Sequence, residues 1–187
     1  MSKAVLISIR PKWCELIASG KKTIEVRKTA PKIETPFKCY IYCTKEGRGV
    51  GEIPYRHFYQ ASDGPKHFMG GTVIGEFVCD RIYGIVPDEN GWGEEYGYSE
   101  HDCLSDAEMA AYLGDHSGFG WHISDLSIYE GPKELSDFMR KPCDMAASCG
   151  ACIHAIREDI NGFAGVPVDC EFAVQSPPQS WCYVEEI

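Results

Sequence analysis

The sequence lacks the features typical of exported and membrane proteins. No apolar stretch approaches the roughly 18 residues that a membrane-spanning helix needs. Met1-Ser2-Lys3 leads directly into a strand-like run, without the charged, apolar and small-residue zones of a signal peptide. From these absences we expect a cytoplasmic protein that has no membrane partner.

Basic residues are scarce over most of the chain. Residues 67–187 hold only 5 Lys and Arg against 22 Asp and Glu, whereas residues 1–66 hold 13 against 6. The formal net charge of the 187 residues is −10. This asymmetry excludes a broad basic surface that coats a nucleic-acid duplex, but it is compatible with a small anionic ligand bound by the basic part.

Hydrophobic periodicity predicts a mostly β chain with short helices. Strands are predicted at 4–9, 23–27, 39–44, 72–85 (one strand or two), 121–129 and 181–185. Three helices are predicted: from Pro11 to Gly20, from the capping box Ser105-Asp-Ala-Glu108 through Leu113, and over 134–140. Residues 45–71 are predicted to be a long loop or a surface excursion, and most of 88–108 is predicted to be a loop. The pattern predicts an α+β fold, mostly β: a barrel with flanking short helices.

A charged motif lies between the first helix and the second strand. Gly20-Lys21-Lys22-Thr23-Ile24-Glu25-Val26-Arg27 has the form G-x-K-x-x-E-x-R. Glu25 and Arg27 project from one face of a strand, and Lys22 stands at the strand entry. An ammonium, a carboxylate and a guanidinium thus converge, and the guanidinium can bind phosphate or carboxylate with two hydrogen bonds. The alternative is a surface ion pair that stabilises little.

The motif resembles the signature of the ASCH domain family, a branch of the PUA-like β-barrels. Ser8-Ile-Arg-Pro11 and Trp121-His-Ile123 fit the same family, so that the resemblance spans about residues 4–140 and the last strand. It implies an ASCH/PUA-like barrel. Members are similar to RNA-binding modules, and some are ribonucleases.

A branch of the family hydrolyses the amide of N4-acylated cytidine, which gives an alternative function. The chain resembles that branch at Gly20, Lys22 and Thr23, which implies that Lys22 would be the catalytic lysine. The branch's catalytic threonine falls at Glu25, and its catalytic glutamate falls near residues 100–102 without a clean match. The alternative is therefore a small hydrolase, a ribonuclease or acylated-cytidine amidohydrolase, with Lys22 as acid or base and Glu25 as its partner.

The first hypothesis is a protein that binds RNA or a nucleotide through a cleft at the motif. Basic and aromatic residues together suit single-stranded RNA, whose bases stack while its phosphates are neutralised. Such residues surround the motif and recur at 55–59 of the predicted loop, although Trp13 could equally pack in the core. The partner is single-stranded RNA or a nucleotide-like small molecule. The candidate ligand-binding residues are Arg10, Trp13, Gly20, Lys21, Lys22, Glu25 and Arg27.

The ten cysteines include a C-x-x-C pair in an irregular segment. A Cys₄ zinc site would use Cys143, Cys149, Cys152 and Cys170, and would keep this segment folded. A redox dithiol or plain buried thiols are the alternatives. We expect residues 1–142 plus 179–187 to form the barrel and residues 143–178 a Cys-rich insertion. A second alternative function is a protein-interaction module that binds a partner through its acidic face and this insertion.

Overall fold

The structure is a computed structural model that describes residues 2–45, 56–88, 91–94, 102–140, 170 and 172–187. Within these ranges two α-helices and eleven strands follow one another. They are β1 (Lys3–Ile9), α1 (Pro11–Ala18), β2 (Ile24–Arg27), β3 (Phe37–Cys43), β4 (Arg56–Ala61), β5 (Gly64–Met69), β6 (Val73–Cys79), β7 (Ile82–Asp88), β8 (Gly91–Glu94), α2 (Asp106–Leu113), β9 (Gly118–His122), β10 (Ser124–Lys133) and β11 (Trp181–Glu185).

The larger sheet has β3 at its centre and β1 beside it. Its strand order is β10-β6-β3-β1-β11, with β1 parallel to β3 and antiparallel to β11. Every β1 residue after Lys3 is buried. Val5 and Ile7 pack into a first core cluster, whereas Ala4 and Leu6 pack into a second on the opposite face. A strand covered on both faces explains the continuous apolar run in the sequence.

The second sheet brings the motif strand against a buried tryptophan. Its order is β2-β9-β7-β8, and Glu25 pairs in register with Trp121. Trp121 is fully buried and meets the edge of Phe37 from the larger sheet, with ring centroids 5.9 Å apart. The first core cluster therefore joins the two sheets. A third sheet consists of β4 and β5 alone.

The mostly β, α+β class is confirmed, but the closed barrel is wrong for the described residues. There the larger and the second sheet are separate and are not closed into a barrel. The sheets stay separate because residues 121–129 do not form the single strand that was predicted. That strand breaks after His122, and Asp125 has a positive φ of 47°. β9 pairs with β2 and β7, while β10 turns away and pairs with β6 in the other sheet.

Two other local predictions are wrong. Residues 134–140 form only a 3₁₀ turn at Leu135–Asp137, because Phe138 adopts an extended backbone and is fully buried in the second core cluster. The predicted loop at 45–71 contains the hairpin of β4 and β5. β8 lies within 88–108, and because it is short it does not contradict the prediction that most of this segment is a loop. The helix that starts at the capping box is confirmed, with both reciprocal hydrogen bonds of Ser105 and Glu108.

Three of the four proposed zinc ligands, Cys143, Cys149 and Cys152, lie outside the described residues. Cys170 is described and buried. No group of three or more potential metal ligands occurs among the residues that the structure describes. Ala173, beyond Cys170, forms a β-bridge with Met139, and Val174 packs into the second core cluster. The zinc site and the division into barrel and insertion stay predictions.

No helix in the described ranges has both the length and the apolarity required to cross a membrane.

Candidate functional site

The turn between α1 and β2 directs Lys22 inwards. Pro11 occupies the first turn of α1, where its missing N–H costs nothing. After the helix, Gly20 has a φ of +72°, a conformation that glycine adopts without strain. The backbone N–H groups of Lys21 and Lys22 then both donate to the carbonyl of Leu16, at 2.9 and 3.1 Å. The chain reverses within a few residues, and Lys22 becomes buried.

Lys22, Glu25 and Arg27 form a buried charge triad. Their exposed fractions are 1%, 5% and 6%. Arg27 Nη2 lies 2.9 Å from Glu25 Oε1, and Lys22 Nζ lies 3.6 Å from Glu25 Oε2. Because two cations share one carboxylate, the triad keeps a formal charge of +1. It is therefore an anion-attracting centre inside a region where charge is weakly screened.

Distant segments complete the coordination of the two cations. Arg27 Nη2 donates to the carbonyl of Ser8 at 2.6 Å, and Nη1 donates to Ser180 Oγ at 3.4 Å. Lys22 Nζ donates to the carbonyl of Asp102 and lies 5.2 Å from the ring centroid of Trp13. Arg27 Nε is buried and has no hydrogen-bond partner among the described residues. A buried unpaired donor is costly, so this atom is a candidate for a bond to a ligand.

The triad forms the floor of a cleft of about 820 Å³. Trp13 of α1 and Tyr112 of α2 contribute aromatic rings to it, while Arg10 and Lys45 contribute cations at the exposed rim. The segment 177–180 forms another wall, and it is fixed by Ser8, whose Oγ donates to the Pro178 carbonyl at 2.7 Å. The cleft thus combines flat apolar surfaces with positive charge, a combination suited to a nucleotide-sized anion.

Two carboxyl groups near the cleft have shifted pKa values. Burial raises the pKa of Asp102, although a hydrogen bond from the Leu104 N–H opposes this shift. The pKa of Glu108, which lines the cleft, is lowered to about 2 by a hydrogen bond from Lys12 and by the capping bonds from Ser105. Glu108 is therefore ionised at neutral pH, and its charge is paired with Lys12 at 2.7 Å. That pair weakens the repulsion that Glu108 would exert on an anion.

Five of the seven candidate ligand-binding residues line the cleft: Arg10, Trp13, Lys22, Glu25 and Arg27. Gly20 and Lys21 are exposed and do not line it. Gly20 shapes the turn, and the Lys21 carbonyl accepts a hydrogen bond from Cys103 Sγ at 3.4 Å. The alternative of a surface ion pair is wrong, because Glu25 and Arg27 are buried.

Several parts of the cleft have no signal in the sequence. Tyr112 and Ser180 line it, and the Asp102 carbonyl accepts a hydrogen bond from Lys22; all three belong to segments far from the motif in the chain. Only the Pro177-Pro178 pair marked the last of these segments as rigid, without indicating what it faces. Such contacts depend on tertiary packing, which local periodicity does not encode.

A model of the ASCH domain matches residues 7–101, a range that includes the complete triad. The chain belongs to the ASCH domain family. The matched range also includes the end of β1, from Ile7 to Ile9, and the whole of α1 and β2. No curated protein matches the chain.

Solved structures of similar fold come from Zymomonas mobilis. The crystal structure of its ASCH protein is 20% identical, with a TM-score of 0.54, and the match covers 98% of this chain and 88% of that one. A tyrosine-to-phenylalanine variant of the same protein is 19% identical with a TM-score of 0.54, over 99% of this chain and 92% of that one. At this identity the likeness shows the fold alone: the chain shares the ASCH, PUA-like architecture.

Proposed function

We propose that this ASCH domain protein binds single-stranded RNA, or a nucleotide as its minimal ligand, in the cleft above Lys22, Glu25 and Arg27. The observation that carries the proposal is the buried triad of formal charge +1 beneath a cleft with two aromatic walls. The family is compatible with RNA binding. In this proposal the floor cations attract a phosphate or a polar base edge, and Trp13 or Tyr112 stacks on a base.

The acidic remainder of the chain limits the size of the footprint. With 22 acidic and 5 basic residues in 67–187, most of the surface repels phosphate. Binding therefore depends on a few contacts at the basic corner. We expect a shallow salt dependence, because each phosphate neutralised on a single strand contributes a slope of only about 0.7 in log K against log salt.

The test is fluorescence anisotropy of a labelled single-stranded RNA with exposed rim cations replaced. Arg10→Ala and Lys45→Ala should each weaken binding about ten-fold, the factor expected for a lost charge-assisted hydrogen bond of about 1.5 kcal/mol. Both residues are exposed, so their replacement does not endanger the fold. Lys3→Ala is the matched control, since Lys3 is exposed at the other end of β1. Equal affinity in all four proteins would contradict the proposal.

Incubation of the wild type with the labelled RNA, and separately with N4-acetylcytidine, distinguishes binding from the hydrolase alternative. RNA recovered intact on a denaturing gel, and N4-acetylcytidine recovered unchanged, support a binding protein. Turnover that is lost in Lys22→Met would instead favour a hydrolase in which Lys22 is the acid or base. Thermal denaturation of Lys22→Met must show a folded protein, because this lysine is buried and paired.

A further inference from the structure

The hairpin of β4 and β5 packs only one of its faces on the rest of the molecule. Alternation along β4 directs His57 and Tyr59 inwards. His57 Nδ1 lies 3.3 Å from Glu15 Oε1 of α1, and its ring stacks on the buried Phe68 at 5.5 Å. Tyr59 packs against the first core cluster. These contacts attach the inner face of the hairpin to α1 and the core. The alternate side chains of β4 therefore face away from α1.

The outward face carries an exposed aromatic pair. Phe58 is 63% exposed, the highest value among the large apolar side chains that the structure describes as exposed. It pairs in register with His67 on β5, with ring centroids 5.9 Å apart. Arg56 is also exposed, two residues before Phe58 on the same face. A phenylalanine in this position packs on little of the protein, whereas a flat ring beside an imidazole and a guanidinium offers a surface for a nucleobase.

The charge of the hairpin is compatible with a polyanion. Residues 56–71 contain one acid, Asp63, and Lys66 Nζ lies 2.9 Å from its Oδ2. Arg56 makes no ion pair with any described residue. The hairpin thus has a surplus of positive charge, in contrast to the acidic remainder of residues 67–187.

The base of the hairpin adjoins the cleft. Gly71, which follows β5, donates its N–H to the Cys43 carbonyl at 2.7 Å. The side chain of Lys45 crosses Gly71 so closely that a Cβ at this position would lie 2.6 Å from Lys45 Cε. Lys45 also lines the cleft. The Lys45 side chain therefore lies between the cleft and the base of the hairpin, so that it is close to the path of a strand that leaves the cleft toward the hairpin.

We propose that the outward face of the hairpin, formed by Arg56, Phe58 and His67, is a second stacking site for single-stranded RNA. This inference rests on the proposed function: one nucleotide occupies the cleft, and a neighbouring nucleotide of the same strand stacks on Phe58 after passing Lys45. The hairpin then makes the protein prefer an oligonucleotide over a mononucleotide, because only the longer ligand reaches both sites.

The test compares uridine 5′-monophosphate with a fluorescein-labelled ten-nucleotide oligouridylate. Phe58→Ala should weaken binding of the oligonucleotide about five-fold or more, the factor for loss of one base stack, and leave the mononucleotide unaffected. Phe58→Tyr should retain the affinity, since it keeps a ring. Val86→Ala is the matched control, because Val86 is a 45% exposed apolar residue on β7.

Three results would overturn the inference. In the first, Phe58→Ala binds the oligonucleotide as tightly as the wild type, while the rim variant Lys45→Ala binds it more weakly. This result would refute the second site and would leave the proposal for the cleft standing. A change of oligomeric state in Phe58→Ala without a change in RNA affinity makes the face a contact between copies of the chain. Failure of the wild type to bind either ligand refutes the proposed function and this inference together.

Discussion

Glu25 Oε1 and Arg27 Nη2 lie 2.9 Å apart beneath the cleft, and the same carboxylate faces Lys22 Nζ at 3.6 Å. One buried anion therefore holds two buried cations. If the Glu25 carboxylate is removed, two buried positive charges remain without a negative partner. The triad therefore affects both the stability of the fold and the charge of the candidate site.

Glu25→Gln should cost about 3–5 kcal/mol of unfolding free energy, the usual penalty for breaking a buried ion pair from one side. Denaturation by urea at neutral pH measures it. Asp63→Asn is the control, because the pair of Asp63 and Lys66 is exposed and its loss should have little effect. An equal loss of unfolding free energy in both variants would contradict the conclusion that the Glu25 carboxylate balances the two buried cations.

The stability difference between the wild type and Glu108→Gln should depend on pH. The hydrogen bond from Lys12 and the capping bonds from Ser105 lower the pKa of Glu108 from 4.5 to about 2. A lowered carboxyl pKa stabilises the fold above the unfolded pKa, and this contribution is lost as pH falls through the folded pKa. Glutamine keeps the capping bond, so the comparison isolates the charge. The higher unfolding free energy of the wild type, measured from denaturation curves, should therefore disappear between pH 4.5 and pH 2. A difference in unfolding free energy that stays constant with pH would contradict this prediction.

Gly75→Ala should destabilise the larger sheet by about 1–3 kcal/mol through overpacking. A Cβ on Gly75 would clash with the carbonyl oxygen of Ser127 and lie 3.0 Å from Ile128 Cα, at an irregular register between β6 and β10. Gly131→Ala on β10 is the matched control, since no atom lies within 4 Å of its Cβ. Thermal denaturation distinguishes the two, and equal melting temperatures would show that the sheet accommodates the methyl group.

Cys14 and Cys39 should resist alkylation in the native protein. Burial raises the pKa of both thiols well above 9.0, and neither is accessible. Thiols that are mainly protonated react slowly with iodoacetamide. Peptide mapping after brief labelling should show Cys103, which is partly exposed, modified before Cys14 and Cys39. Labelling of Cys14 or Cys39 at the same rate would mean that the core opens on the timescale of the reaction.

Features with a local cause could be predicted from the sequence. Pro11 and Gly20 delimit α1, and the Ser105–Glu108 capping box starts α2, because each signal acts within one turn of helix. The strand Trp181–Glu185 was predicted with the observed bounds. The hairpin of β4 and β5 was missed because β5 begins with Gly64-Pro65 and the segment around both strands is rich in Gly and polar residues, a composition typical of loops.

Features with a distant cause could not be predicted. The motif indicated that Glu25 and Arg27 share a face. It did not indicate that the carbonyl of Ser8 and the hydroxyl of Ser180 accept hydrogen bonds from Arg27, or that the Asp102 carbonyl accepts one from Lys22. The open sheets follow from the break after His122, which redirects β10 to β6. Apolar periodicity indicates neither the burial of the triad nor the break after His122, because both depend on tertiary packing.

The most direct test of the central claim is ultraviolet cross-linking of the wild type to the ten-nucleotide oligouridylate, with the modified peptides identified by mass spectrometry. We predict cross-links at the cleft, within residues 8–13, 42–45 or 177–180, and their competition by excess unlabelled oligonucleotide. Cross-links confined to residues 82–88 of β7, or the absence of any competed cross-link, would contradict RNA binding in this cleft.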